Sequence, residues 1–241
     1  MQEAPMDDRH FETGQDQAAI SPFDPARDHS ARLSRRAYNL IMGGLVMLGF
    51  LVIGACAALA ATPGFLLAVY QNYFPIMLGS VIASLAGIIV LHLGMKREGF
   101  GMALAGYALV IGSIGFTTGL VLPMYDLPSI ANAFVGTALI AALFTLLGAA
   151  FPAFFARVQG IALTALFALI IVSVVGSFMG VAMGWLDYAV ILVFCGFIGY
   201  DTYRAQQCEA TVKMAVFNAV QIWLDLVNVF IRILAIVGRR D

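Results

Sequence analysis

Residues 213–238 read KMAVFNAVQIWLDLVNVFIRILAIVG, an apolar run interrupted by Asn218, Gln221, Asp225, Asn228 and Arg232. The steps between these polar residues are 3, 4, 3 and 4. At about 100° per residue they fall within an arc of roughly 80°, one narrow polar stripe along an otherwise apolar helix. In lipid a central aspartate or arginine costs at least about 2.5–3.5 kcal/mol. The stripe must therefore face protein or a water-filled cavity, which predicts a helix inside a bundle with other helices around it.

The rest of the chain supplies those helices. Hydrophobic residues make up 61% of the 241 positions and charged residues 11%, and the mean hydropathy is +0.92. An ordinary soluble domain is about half apolar and about a quarter charged, so the solvent of this chain is lipid. Apolar runs lie at about 40–61, 72–95, 102–122, 130–150, 160–181, 185–203 and 213–238. Each approaches the roughly 20 residues that cross a bilayer core. Short breaks with turn chemistry separate them: Thr62-Pro63-Gly64, Lys96-Arg97-Glu98-Gly99, Pro123 to Pro128, Pro152 to Gly160, and Gly184. The runs lack the alternation of barrel strands. The expected class is all-α: a polytopic membrane helix bundle of about seven transmembrane helices, the last one central.

Charge is concentrated at the start. Seven of the 14 acids (Glu3, Asp7, Asp8, Glu12, Asp16, Asp24, Asp28) and five of the 13 bases (Arg9, Arg27, Arg32, Arg35, Arg36) precede residue 37. Residues 1–36, polar and carrying Pro5, Pro22 and Pro25, are expected to be a disordered cytosolic tail. Residues 37–241 form the bundle. The first apolar run starts too late for a cleavable signal and is expected to direct its own insertion. No basic patch with interleaved aromatics points to nucleic acid.

Lysine and arginine bias orients the spans. With the tail inside, the inner loops hold Lys96 and Arg97, then Arg157, then Arg204 and Lys213, and the outer loops hold only Asp126 and Asp187. Arg239 and Arg240 break the alternation. Either the last segment crosses and exports them, or it is re-entrant. Gly115 and Gly119 form one small-residue pair, and Gly176, Gly180 and Gly184 a ladder, both suited to close helix contact. Cys56, Cys195 and Cys208 show no metal-ligand spacing and are expected as packing residues and a reduced thiol. His92 reads as an interfacial histidine.

Asp201 lies near the inner end of the sixth run, in Gly199-Tyr200-Asp201-Thr202. Asp225 lies about 12 residues, roughly 18 Å, beyond Lys213. The two spans are consecutive and antiparallel, so the carboxyls can meet if the helix ends are offset or the last segment dips. Two close carboxyls in low dielectric cannot both ionise cheaply and titrate as a unit. Protonated, they share a hydrogen bond that holds the helices; ionised, they repel unless a cation intervenes. The alternative is that Asp225 and its amide neighbours only bond helix to helix.

At these residues the sequence resembles the Bax inhibitor-1 family of membrane proteins, and its bacterial members in particular. Ile198-Gly199-Tyr200-Asp201 is similar to the family's ending of span six, and Ile222-Trp223-Leu224-Asp225-Leu226-Val227-Asn228-Val229-Phe230, followed by Leu234 and Gly238, to its last helix. The separation of the aspartates also fits. The resemblance covers about 37–238 and implies six helices around a central seventh, a di-aspartyl pH-responsive latch of Asp201 and Asp225, and a calcium leak. It implies a basic counter-charge from span two, here Lys96 with Arg97 beside it. Gln221 and Arg232 depart from the family's more apolar or hydroxyl residues, and Arg232 adds a positive charge unfavourable to cation passage.

The leading expectation is a pH-sensitive cation leak channel or transporter in a bacterial cytoplasmic membrane. Asp201 and Asp225 would be its gate and a transient calcium site, since oxygen ligands suit calcium. No cofactor is expected, and no catalytic constellation. A second reading is a non-transporting regulator that binds a membrane-bound ATP-dependent protease, as the resemblance implies for some bacterial relatives. A third is an intramembrane aspartyl protease, which also pairs aspartates on adjacent helices. Its Gly-x-Gly-Asp motif is not matched by Ile222-Trp223-Leu224-Asp225.

Overall fold

The computed structural model describes residues 32–96, 100–180 and 184–238. The sequence expectations for residues 1–31, and for Arg97, Arg239 and Arg240, fall outside the described residues. Eight α-helices occur among the described residues: α1 (Arg35–Ala60), α2 (Pro63–Gln71), α3 (Tyr73–Lys96), α4 (Phe100–Val121), α5 (Leu127–Ala150), α6 (Pro152–Phe178), α7 (Trp185–Gln207) and α8 (Val212–Val237). All but α2 are long and apolar enough to cross a membrane. Their helical start signals are local. The Ser34 hydroxyl accepts from the Ala37 amide at 3.2 Å, the Thr211 hydroxyl accepts from the Met214 amide at 3.2 Å, and prolines occupy the first turns of α2, α5 and α6.

Burial decides which helix is central. Half of the most apolar window of α8 is buried, against 17% for α1 and α5 and 11% for α3 and α6. α8 packs against α1, α3, α4, α5 and α7. One departure from the expected ring is α6, which packs chiefly on α7. Two apolar clusters flank α8. Trp223, Val227, Phe230 and Leu234 face Ile53, Tyr107, Val110 and Ala133, while Ile222, Leu226 and Val229 meet Val190, Phe194 and Ile198 of α7. The outer helices expose large apolar side chains such as Leu40, Phe74, Leu139 and Phe178, a belt matched to lipid and incompatible with water.

α8 is unbroken over 26 residues, about 39 Å at 1.5 Å per residue. Its first turns lie beside the start of α1, where the Leu33 amide donates to the Ala210 carbonyl at 2.7 Å. Its far end, at Gly238, lies against the ring of Tyr125 in the α4–α5 connection. The helix thus traverses the bundle from one face to the other, with no break on which a re-entrant segment would turn.

Glycines set the closest approaches. A Cβ at Gly119 would sit 2.5 Å from the Cys56 Cβ of α1 and one at Gly115 would sit 3.1 Å from Val52, so this pair joins α4 to α1 as expected. α3 and α4 are tighter still: a Cβ at Gly94 would sit 2.6 Å from the Ala103 nitrogen, and one at Gly106 would strike the backbone of Leu91. Of the expected ladder, Gly176 is buried on α6, but Gly180 does not continue it. Gly180 lies beyond the end of α6 at φ +66° with nothing near it, so it serves the turn, where a positive φ favours glycine. The short helix α2 replaces the simple turn expected at Thr62-Pro63-Gly64.

Candidate functional site

The connection between α7 and α8 is only Cys208 to Thr211, which makes the two helices antiparallel neighbours. It is pinned to α1. Arg35 donates through Nη2 to the Cys208 carbonyl at 2.6 Å and through Nη1 to the Ala205 carbonyl at 3.4 Å. Arg32 and Glu209 pair at 3.1 Å with both side chains mostly exposed.

Below this turn lies a buried polar network. Asn218 of α8 is fully buried. Its Nδ2 donates to the Tyr38 hydroxyl of α1 at 2.7 Å and reaches the Cys208 Sγ at 3.4 Å. Its Oδ1 accepts from Arg204 Nη2 at 3.2 Å. The Arg204 guanidinium also lies over the Phe217 ring, 5.2 Å from its centroid. Two bonds to one amide therefore tie α1, α7 and α8 together, and they position Arg204.

Deeper in the bundle are the two aspartates, Asp225 on the same stripe of α8 and Asp201 on α7. Asp201 and Asp225 are 8% and 7% exposed. Their carboxyls come within hydrogen-bonding reach of one another, and the charge of Arg204 acts on both. Helical side chains lean toward the amino terminus of their helix. In an antiparallel pair that lean carries Asp201 and Asp225 toward each other and closes part of their offset along the axis. The Asp225 Oδ2 is buried with no hydrogen-bond partner, as is the hydroxyl of Thr202 beside Asp201. A buried carboxylate oxygen without a donor is costly, and it is a vacant acceptor for a proton, a water or a cation.

The remaining stripe residues are placed as follows. Gln221 is half-buried between the amide and carboxyl levels of α8. Asn228 is half-buried and donates to the Leu224 carbonyl at 2.8 Å. Arg232 pairs with Asp187 of α7 at 3.1 Å, where the carboxylate side chain is 7% exposed and the guanidinium 42%. The positive charge that Arg232 brings is thus met by an opposite one. Lys96 of the expected counter-charge ends α3 as an exposed residue, Arg97 lies outside the described residues, and among the described residues Arg204 is the cation acting on both carboxyls. Sequence reading missed Tyr38, Arg204 and Asp187. Arg204 was within reach of it, being three residues from Asp201 and so on the same face of α7.

A cleft of about 800 Å³ opens between α6, α7 and α8, with Asp187, Asn228 and Arg232 in its wall. Among the described residues no group of three or more histidine, cysteine, aspartate or glutamate side chains gathers to hold a metal.

Among the described residues, seven apolar spans, the last of them central, with two buried carboxyls facing one another between α7 and α8, define a polytopic integral membrane protein. The sequence model described as "Inhibitor of apoptosis-promoting Bax1" matches residues 30–241. The chain belongs to that family, the Bax inhibitor-1 family. It is similar to the inner membrane protein YbhL of Escherichia coli strain K12, 24% identical over 220 residues that cover 87% of this chain and 94% of the relative. An uncharacterized membrane protein of Streptococcus pyogenes serotype M3 is 25% identical over 186 residues, 73% of this chain and 80% of that one.

Proposed function

We propose that this protein is a pH-sensitive cation leak, with calcium as its cargo, gated by the Asp201–Asp225 pair. The observation that carries the reading is the meeting of two buried carboxyls, one of them with an oxygen left unpartnered. With one proton between them the carboxyls hold α7 to α8. With none they repel across a site that water barely reaches, and Arg204 offsets part of that repulsion. Separation of the two helices frees four carboxylate oxygens for a passing divalent cation, the hard ligands that calcium takes. Release of the latch then lets the ion move along the polar stripe of α8. The amino terminus lies in the cytosol by the lysine and arginine bias of the loops, and the membrane is a bacterial inner membrane, as the printed name of the Escherichia coli relative supports.

The test is calcium influx into proteoliposomes carrying an internal dye, from about pH 6 to about pH 8. Wild type runs beside Asp201→Asn, Asp225→Asn and the double variant. The expected result is influx that rises with pH in wild type and loses its pH dependence in all three variants. Influx no greater than that of empty liposomes at every pH would overturn the reading and turn attention to protein partners.

A further inference from the structure

α6 packs on α7 and only grazes α5, and among the described residues it does not pack on α8. The cleft of about 800 Å³ between α6, α7 and α8 is what this arrangement leaves. Its size falls among those of ligand sites, about 300–1,000 Å³.

The lining changes character along the helix axes. At the face away from the start of α1 it is polar, with Ser177 in the last turn of α6, Asp187 in the first turn of α7 and Arg232 near the end of α8. Ser173 and Asn228 follow about 6 Å further in, four residues from Ser177 and Arg232 respectively. The Asn228 amide nitrogen is already bonded to the Leu224 carbonyl. Beyond them the described lining is apolar: Leu166, Leu169, Ile170 and Phe194. From Ser177 to Leu166 the wall formed by α6 runs about 16 Å. Half of a hydrocarbon core of about 30 Å is about 15 Å. The cleft thus has the depth of one leaflet and the same order of polarity, polar at the membrane face and apolar toward the middle.

The polar end carries a cation held in place. Arg232 Nη1 donates to Asp187 at 3.1 Å, with the carboxylate side chain buried and the arginine side chain 42% exposed. A guanidinium has five N–H donors in a planar fork, so this bond orients the group without exhausting the fork. Such a fork takes phosphate oxygens in pairs. An arginine near a helix end also extends its charge to the level of the headgroups.

We propose that the cleft is a phospholipid site: one acyl chain from the leaflet at that face lies between α6 and α8, and the lipid phosphate is bound by Arg232. The chain covers the inward side of α6 at Leu166 and Leu169 and the floor that α7 supplies at Phe194. The site is separate from the Asp201–Asp225 pair and does not depend on cation passage.

The experiment uses the full chain in proteoliposomes with a trace of phospholipid carrying a diazirine in the inner third of one acyl chain. After irradiation the attachment points are read by mass spectrometry. Ile89 of α3, 60% exposed to the lipid belt, is the reference, whereas Phe194 is 8% exposed and out of reach of a chain that passes along the outer surface. The expected result is attachment at Phe194 or Leu166 as well as at Ile89. A diacylglycerol probe with the same photoreactive chain and no phosphate should label the cleft about tenfold less relative to Ile89, the effect of losing one charge-assisted hydrogen bond. Arg232→Gln should lower cleft labelling by the phospholipid probe by a similar factor and leave Ile89 unchanged, with a monodisperse elution profile as the check on folding. Labelling of Ile89 with none at Phe194 or Leu166 would overturn the site. Equal cleft labelling by the two probes, a comparison made on wild type alone, would overturn the role of the phosphate and leave ordinary bilayer lipid as the occupant.

Discussion

Arg204 Nη2 donates to Asn218 Oδ1 at 3.2 Å, and through that single amide the cation beside the aspartates is coupled to α1. The other side of the amide donates to the Tyr38 hydroxyl at 2.7 Å. A displacement of α1 at Tyr38 is therefore felt at Arg204, and from there at Asp201 and Asp225.

Replacing this amide should cost more than its size suggests. Asn218→Leu removes an acceptor and a donor at once and leaves the Tyr38 hydroxyl and part of the Arg204 guanidinium without them. The expected loss is about 1–2 kcal/mol, within the range for hydrogen bonds inside membrane bundles. Thermal unfolding in detergent measures it, and Asn218→Asp, which keeps the acceptor for Arg204, should recover part of the loss.

Two arginines at the start of α1 should differ sharply. Arg35 bonds to two carbonyls at the end of α7, whereas Arg32 makes an exposed ion pair with Glu209. Arg35→Ala should lower the unfolding midpoint and hasten proteolysis at the α7–α8 turn. Glu209→Ala should leave both within error, as exposed ion pairs of this kind contribute little.

The seat of Trp223 is a third test. The indole is fully buried against Gly49 of α1, where an added Cβ would come 2.6 Å from its Cδ1 and collide with its nitrogen. Gly49→Val should displace the ring and separate α1 from α8, at about 1–3 kcal/mol or more. Loss of the monodisperse elution peak, together with a red shift of tryptophan fluorescence, would report it; an unchanged spectrum would show that the contact is not as tight as described.

The aspartates should behave as one unit. In a double-mutant cycle on thermal stability, Asp201→Asn and Asp225→Asn should be non-additive by about 0.5–3 kcal/mol. On the latch proposed above, the coupling should change between about pH 6 and about pH 8, because a shared proton would be part of it. Additive effects at every pH would mean that the two carboxyls do not act on each other.

Most of the fold was legible because lipid makes the rules coarse. Runs of about 20 apolar residues between turn signals can do little else, and six of the seven spans fall within about five residues of the expected ones, whereas α6 starts at Pro152 and so takes in the break expected from Pro152 to Gly160. α2 escaped because Pro63-Gly64 reads as a turn, although proline equally opens a helix, and nine residues cannot cross a bilayer. The aspartate pair was visible in the polar stripe and the adjacent Tyr200-Asp201. Its surroundings were not. Tyr38 is 180 residues from Asn218 and Asp187 is 45 from Arg232, and such contacts depend on helix register and on how far an arginine can reach. The glycine ladder is cut short for a local reason: α6 ends at Phe178, so a spacing that looks helical runs on past Gly176 into a turn at Gly180.

The central place of α8 has a consequence for biogenesis. This helix follows the other seven in chain order, yet it supplies the inner wall on which both apolar clusters close. Until it has been synthesised and inserted, the earlier spans sit in the bilayer with their facing surfaces unmatched and must be shielded by lipid, the translocation machinery or one another. Assembly of the bundle is therefore a late event, and a chain halted before Val212 would reach the membrane without acquiring a native interior.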